Sequence, residues 1–520
     1  MRTNNHTPSL PVADPRSDRF RCGGRESKFL AAIESCFEND IPMKFNLLII
    51  EYPVRCLACL ACLACLAFAA TTALASPTVR VTAPADGAEL KADAPFTATA
   101  DAQADAGRRI VKVQFFVWSH ALRVGEATAA PWNAEVKPRD VFARARFSLI
   151  ARATDDTGAA TDSEPVWLTM RDDAEYPPRA KAREERLISA HTPGSGHEGI
   201  PCLAEAPNGD LLCVFYAGKY ELSDDTAIYF TRLPRGAREW EKPRRIIGGD
   251  DGISRANPVL HVRKDGALTC FYSNIDGERN FEHARPCFRT SRDGGATWST
   301  EQRIPEPKFT HPTGTIFALK PIRLADGTLL LPANRESEHP DPKRGWTSLF
   351  YRSTDDGKTW TETAEILSTP GNIQPTAQQL SDGSLVALFR PRGRDAKLWR
   401  STSSDGGQTW AALEKTPLAN PSTRSDFAAL PGGALVLAAN PDGKKRTPVS
   451  VFLSRDAGKT WPIRRDLETG PGPYGYTAVL RTSDGKIHIA YDCDRRVIKH
   501  LVVDEPWFSE PPTLLNYTRP

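Results

Sequence analysis

The sequence is poor in several things, and each scarcity narrows the reading. Acid and base nearly cancel, with 67 Lys+Arg against 64 Asp+Glu and a net charge of +3. Without a surplus of one sign, nucleic acid and anionic membrane surfaces are excluded as main partners. Beyond residue 75 the cysteines are Cys202, Cys213, Cys270, Cys287 and Cys493. They are odd in number and widely spaced, which excludes a disulfide framework. No C-x-x-C or Cys/His cluster remains there and no phosphate-binding loop occurs, so no metal and no other cofactor is expected. Cys213 and Cys270 sit inside apolar strands and read as small core residues. Methionine is scarce too, at three residues.

Gly (36) and Pro (42) are plentiful, as many short strands joined by turns require. One long apolar run stands out, L-A-C-L-A-C-L-A-C-L-A-F-A-A-T-T-A-L-A over residues 57–75. Lys44 and Arg55 precede it, and Ala73-Leu74-Ala75 ends it in a small-x-small pattern. This predicts a signal peptide over 43–75, with 1–42 an over-extended or disordered start and the mature protein secreted or periplasmic. An uncleaved anchor is the alternative, since the run approaches spanning length. No other membrane association is expected.

At 520 residues the chain calls for more than one domain. Residues 77–172 alternate as V-R-V-T near Val79, then V-K-V-Q-F-F-V at Val111, with turns at Asp86-Gly87 and Asp155–Gly158. That spacing predicts an immunoglobulin-like β-sandwich. A polar stretch, 173–190, reads as a linker.

Repeats follow. A turn leads into an apolar strand at Asn208, Asp265, Asp326, Asp382, Gly432 and Asp484. The copies lie roughly 50–60 residues apart, a propeller-blade period. A second repeat interleaves with the first: S-R-D-G-G-A-T-W at Ser291, S-T-D-D-G-K-T-W at Ser353, S-S-D-G-G-Q-T-W at Ser403 and S-R-D-A-G-K-T-W at Ser454. A worn copy ends at Trp240. Its Asp bonds local N–H groups, its Gly supplies positive φ, and its Trp plugs the sheet. These boxes are structural, not catalytic or metal-binding. The fold class is therefore all-β: a six-bladed β-propeller over 191–506 behind the Ig-like sandwich, with a tail over 507–520.

The S-x-D-x-G-x-T-W box on this repeat resembles the sialidase (neuraminidase) superfamily, in particular its bacterial exo-sialidase branch with BNR repeats. The sandwich resembles bacterial Ig-like modules of secreted carbohydrate-active proteins. The resemblance implies three arginines gripping a sialate carboxylate, a tyrosine nucleophile with a glutamate base, and an aspartate acid/base. Planar guanidinium pairs with carboxylate through charged hydrogen bonds, and a tyrosine nucleophile needs activation. Carried over by motif, the acid/base is Asp224 or Asp225, the second and third arginines are Arg390 and Arg446, and the nucleophile is Tyr476 with Tyr474 close by. Gly199 in His197-Glu198-Gly199-Ile200-Pro201 replaces the first arginine, and Gln374 replaces the glutamate base. His197 and Glu198, with Arg335 and Glu336, are further candidates for sugar contacts or a base.

The expected function is an exported sialidase-like glycosidase of exo-alpha-sialidase type, acting on a glycan with a terminal acidic sugar. Alternatives are a uronate-directed glycosidase or lyase, or a non-catalytic carbohydrate-binding propeller. A monomer is expected. The enzyme reading requires Arg390, Arg446, Tyr476 and Asp224 or Asp225 to converge at one mouth of the propeller.

Overall fold

The computed structural model describes residues 76–516, apart from 92–93, 118–122, 138–145, 172–175, 191, 193–194, 277–279 and 394–395. The expected signal peptide and the chain before it lie outside the described residues. From Ala75 onward the chain is one compact unit, and its described residues hold strands and two 3-10 turns but no α-helix.

The first region is a sandwich. One sheet has strands Thr78–Ala83, Phe96–Gln103 and Trp132–Val136. The other is built on Arg146–Asp155, flanked by Ile110–Val117 and Val166–Arg171. Alternating residues turn inward from both sheets, as strand geometry requires. Val113, Phe115, Phe147, Leu149 and Leu168 form the core between them.

Beyond it come six sheets of consecutive antiparallel strands. Their innermost strands are His197–Glu205, Ser254–Val262, Thr313–Phe317, Asn372–Gln379, Asp426–Ala429 and Tyr474–Arg481. Each turn-strand repeat is the hairpin that leads from the innermost strand to the second. In four of these turns an Asp accepts from the backbone N–H two residues on: Asp265 from Ala267 at 3.1 Å, Asp326 from Thr328 at 2.9 Å, Asp382 from Ser384 at 2.9 Å, and Asp484 from Lys486 at 3.2 Å. The apolar runs are thus second strands. Leu211–Gly218 and Leu268–Ile275 are buried throughout their length, since neighbouring sheets cover both faces.

The boxes join neighbouring sheets. In the first, Ser291 Oγ donates to Asp293 (2.7 Å) and accepts from Gly295 N (2.8 Å), while Asp293 accepts from Thr297 N (2.9 Å) and Thr297 Oγ1 (2.5 Å). The boxes at Ser353, Ser403 and Ser454 repeat the pattern. These bonds hold the carboxylates low, Asp405 at about 2. Each box tryptophan packs on the preceding sheet: Trp298 on Phe230, Trp360 on Phe271, Trp410 on Phe350. Trp240 does the same against the last sheet, where His500 Nδ1 accepts its Nε1–H at 3.1 Å.

Two boundaries differ from expectation. Residues 184–190, expected within the linker, form the outer strand of the last sheet, paired with Val497–Val503. The final chain segment therefore supplies the third strand of that sheet, and the N-terminal segment supplies the outermost one. The segment E-E-R-L-I-S-A alternates up to a register slip between Leu187 and Ser189, so Glu185 and Leu187 face outward while Ile188 and Ser189 are both buried. The tail is also anchored, with Trp507 and Phe508 buried and Leu514–Leu515 paired to Arg179–Ala180.

Candidate active site

Four of the six innermost strands share one irregularity that positions the site. Their pairing register slips between Gly199 and Cys202, Ala256 and Val259, Ile373 and Thr376, and Gly475 and Ala478. Two residues there oppose one, which is a β-bulge, and bulges re-aim side chains. The first bulged residue in each has positive φ: Ile200 (56°), Asn257 (50°), Gln374 (50°) and Tyr476 (51°). None is glycine, so each bulge costs about 1–2 kcal/mol of backbone strain. At Tyr476 the bulge separates two tyrosines. Tyr474 lies in the hydrophobic core of the last two sheets, whereas Tyr476 packs against Ile200 and Tyr216.

Arginines surround Tyr476. The guanidinium carbons of Arg495, Arg446, Arg390 and Arg424 lie 4.2, 5.1, 5.9 and 6.0 Å from its ring centroid. Burial alone would push the phenol up. Arg446, Arg495 and Arg390 outweigh burial, and the group falls to about 7 with Glu221 opposing. Arg390 and Arg446 are half-buried. Arg390 donates to Gln374 Oε1 at 3.0 Å and to Ser422 Oγ at 3.2 Å, and Arg446 donates to the Ser422 carbonyl at 3.1 Å. Both are tethered through one or two of their donors.

Arg495 was not singled out in the sequence. It lies with Asp494 in the hairpin after the last turn-strand repeat, both at φ 55°. A Cβ at Gly199 would sit 3.0 Å from Arg495 Nη1 and 3.1 Å from Asp492 Oδ2. The side chain missing at position 199 is therefore space that the Arg495–Asp492 pair occupies, with both groups buried and 3.4 Å apart. Arg424 is fully buried and donates to the carbonyls of Ala318 (3.3 Å), Pro201 (2.7 Å) and Tyr476 (2.7 Å).

Carboxylates line the other side. Glu336 is half-buried. Burial first, then Glu282, raise it to about 8, with Arg390 and Arg392 opposing. Its protonated form is thereby favoured. Arg335, one residue earlier on the strand, points to the opposite face and pairs with Glu362 (2.6 Å) and Glu365 (2.8 Å). Glu221 accepts from Tyr216 Oη at 3.3 Å, and His197 bonds the same hydroxyl at 2.9 Å. Trp346 is half-buried between Arg390 (5.4 Å) and Arg392 (5.3 Å).

Asp224 and Asp225 line a different space. The loop reverses at Leu222 (φ 67°), which is buried with Tyr220. Asp225 accepts from Lys219 N (3.1 Å) and Ser223 Oγ (2.5 Å). The two aspartates border a cavity of about 380 Å³ together with Arg152, Asp162 and Glu164 of the sandwich. Glu198 is buried against its own loop, where Thr192 N and Ser195 Oγ donate to it. Of the candidates named from sequence, the structure brings together Arg390, Arg446, Tyr476, Gln374 and Glu336, with His197 one hydrogen bond removed. Glu221, Arg424, Arg495 and Trp346 join them unannounced. Among the described residues no Asp/Glu/His/Cys cluster suits a metal ion.

An all-β chain with box-bearing sheets and a tyrosine under arginines defines the class of sialidase-fold proteins. The family described as BNR repeat-like domain matches residues 209–489, and the chain belongs to it. A bacterial Ig domain matches residues 77–146. A sialidase of Micromonospora viridifaciens is 25% identical over 340 residues, covering 57% of this chain and 51% of that protein. A sialidase of Bacteroides fragilis is 23% identical, covering 56% and 59%. The chain thus spans only about half of these relatives. Among solved structures, a Hadza microbial sialidase aligns with TM-score 0.53 at 16% identity, over 83% of this chain and 93% of that one. The intramolecular trans-sialidase of Ruminococcus gnavus, solved with oseltamivir carboxylate, aligns at 0.52 and 14% identity, over 63% and 98%. The shared fold is the sialidase propeller.

Proposed function

We propose that this chain is an exported glycoside hydrolase of sialidase type that acts on a terminal, carboxylate-bearing sugar. The six sheets are read as six blades around one axis, with the site at one mouth. The supporting observation is the placement of Tyr476 beneath Arg390, Arg446 and Arg495. Half-buried guanidiniums above a tyrosine can grip a planar carboxylate and hold the anomeric carbon over the phenol oxygen. Glu336, its protonated form favoured, is assigned as the acid for the leaving oxygen, the role that the family motif suggested for Asp224 or Asp225. Arg390 and Arg446 gathered at Tyr476 favour this over a purely adhesive propeller, which Gln374 taken alone would favour, since a binding surface has no need of a buried tyrosine under cations.

The test is a panel of aryl glycosides: sialosides, uronides and neutral sugars at pH 7.5. Release confined to acidic sugars supports the reading, and the sialoside-to-uronide ratio assigns the sugar. Turnover of neutral sugars alone, or glycan binding without any release, overturns it.

A further inference from the structure

The residue that replaces the expected base, Gln374, is an amide and cannot take a proton. Tyr476 is instead surrounded by cations from three sheets: Arg390 from the fourth, Arg424 and Arg446 from the fifth, and Arg495 from the hairpin of the sixth. Facing them are Glu221 and Tyr216 from the first sheet, Asp492 beside Arg495, and Glu336 from the third sheet beside Arg390. Cations outnumber anions around the ring, and the ring is buried, which strengthens their pull. Arg495 is nearest, and its Nε has no hydrogen-bond partner among the described residues.

We propose that Tyr476 functions as a phenolate held in a cage of four guanidinium groups, with Arg495, seated in the space left at Gly199, making that charge state possible without a carboxylate base at position 374. The missing arginine and the missing glutamate are thereby linked. A carboxylate at 374 would oppose the phenolate, and a side chain at 199 would displace Arg495. The shift of the phenol to about 7 agrees with this. In catalysis the phenolate oxygen bonds to the anomeric carbon as the glycosidic C–O bond breaks. The bonding pair leaves on the departing oxygen, which takes a proton from Glu336. This consequence rests on the hydrolase reading, but the ionisation itself does not.

Ultraviolet difference spectra of the full chain without ligand, from pH 5 to 10, test it. Tyr216, Tyr229, Tyr272, Tyr351 and Tyr491 are all pushed upward, away from the neutral range. One tyrosine should titrate near pH 7, and Tyr476→Phe should abolish that step. Arg495→Met and Gln374→Glu should each move it up by about one unit or more, and Arg495→Lys should restore part of the shift. Should Arg495→Met fail to fold, Arg446→Met, at a half-exposed position, gives the same reading. No titration below pH 9 in the parent chain, or an unchanged step in Tyr476→Phe, overturns the proposal. A step near 7 without turnover of any acidic glycoside sinks the hydrolase reading and leaves the phenolate standing.

Discussion

Arg390 and Arg446 differ from Arg424 by what they hold. Arg424 spends its donors on three backbone carbonyls, while the other two are half-buried and bond Gln374 and Ser422. A charged hydrogen bond to a substrate carboxylate contributes about 1.5–3 kcal/mol. Arg446→Met should therefore cut kcat/KM for acidic aryl glycosides by about 10- to 150-fold. Its thermal midpoint should barely move, and steady-state kinetics beside a melt separates the two. Proton balance sets a second expectation. The proposed reaction needs Tyr476 ionised and Glu336 protonated, so its rate should rise through pH 7 and fall through pH 8. The pH profile of kcat/KM should be a narrow bell, and Glu336→Gln should lose its alkaline limb. Arg390, Arg446 and Tyr476 were legible in the sequence because each sits in a local motif. Arg495 was not, since D-C-D-R-R has no periodic signal and its meaning depends on the gap at Gly199, nearly three hundred residues earlier.

Single elements explain the boxes and the bulges. The boxes were readable because the Ser–Asp–Gly–Thr bonds that shape them fall within seven residues. Which surface the tryptophan covers was not, because that partner lies on the preceding sheet. The bulges at Ile200, Asn257, Gln374 and Tyr476 leave only a faint trace, a proline after three of the four. The loop at 219–226 shows the converse. Two adjacent aspartates drew attention, but the reversal at Leu222 turns them toward the sandwich and leaves Glu221 beside Tyr216. One element-level contact carries a pH dependence. Trp240 donates to His500 Nδ1, and His500 Nε2 lies 2.9 Å from His488 Nδ1, an arrangement that needs both imidazoles neutral. Burial holds His488 down at about 4 and pushes His500 well below its ordinary value. A histidine depressed in the fold gives stability that is present above its unfolded value near 6.5 and lost as pH falls through the folded one. The thermal midpoint should decline from pH 6.5 to 4. In His488→Phe with His500→Phe that decline should be shallower, as differential scanning calorimetry would read.

Across the whole molecule, two charged side chains tie the sheets together. Arg424 reaches carbonyls of the first, third and sixth sheets. Asp426 accepts from Lys320 Nζ (2.5 Å), Thr376 Oγ1 (2.7 Å) and Val479 N (2.7 Å), which belong to the third, fourth and sixth. The periodicity of the repeats conveyed the ring, but not this centre, because S-T-R-S-D-F sits outside both repeats. Removing one buried charge strands its partners and costs about 3–5 kcal/mol. Arg424→Met should lower unfolding stability by about that amount in urea titration, with the box-bearing rim otherwise unchanged.

The central claim is that chemistry occurs at Tyr476 beneath its arginines. The most direct measurement is release of 4-nitrophenol from an acidic aryl glycoside by the parent chain and by Tyr476→Phe at pH 7.5. Loss of at least about 10³-fold in kcat, with folding intact, is predicted, the scale seen when a nucleophile is removed. Equal turnover by the two proteins would contradict the account.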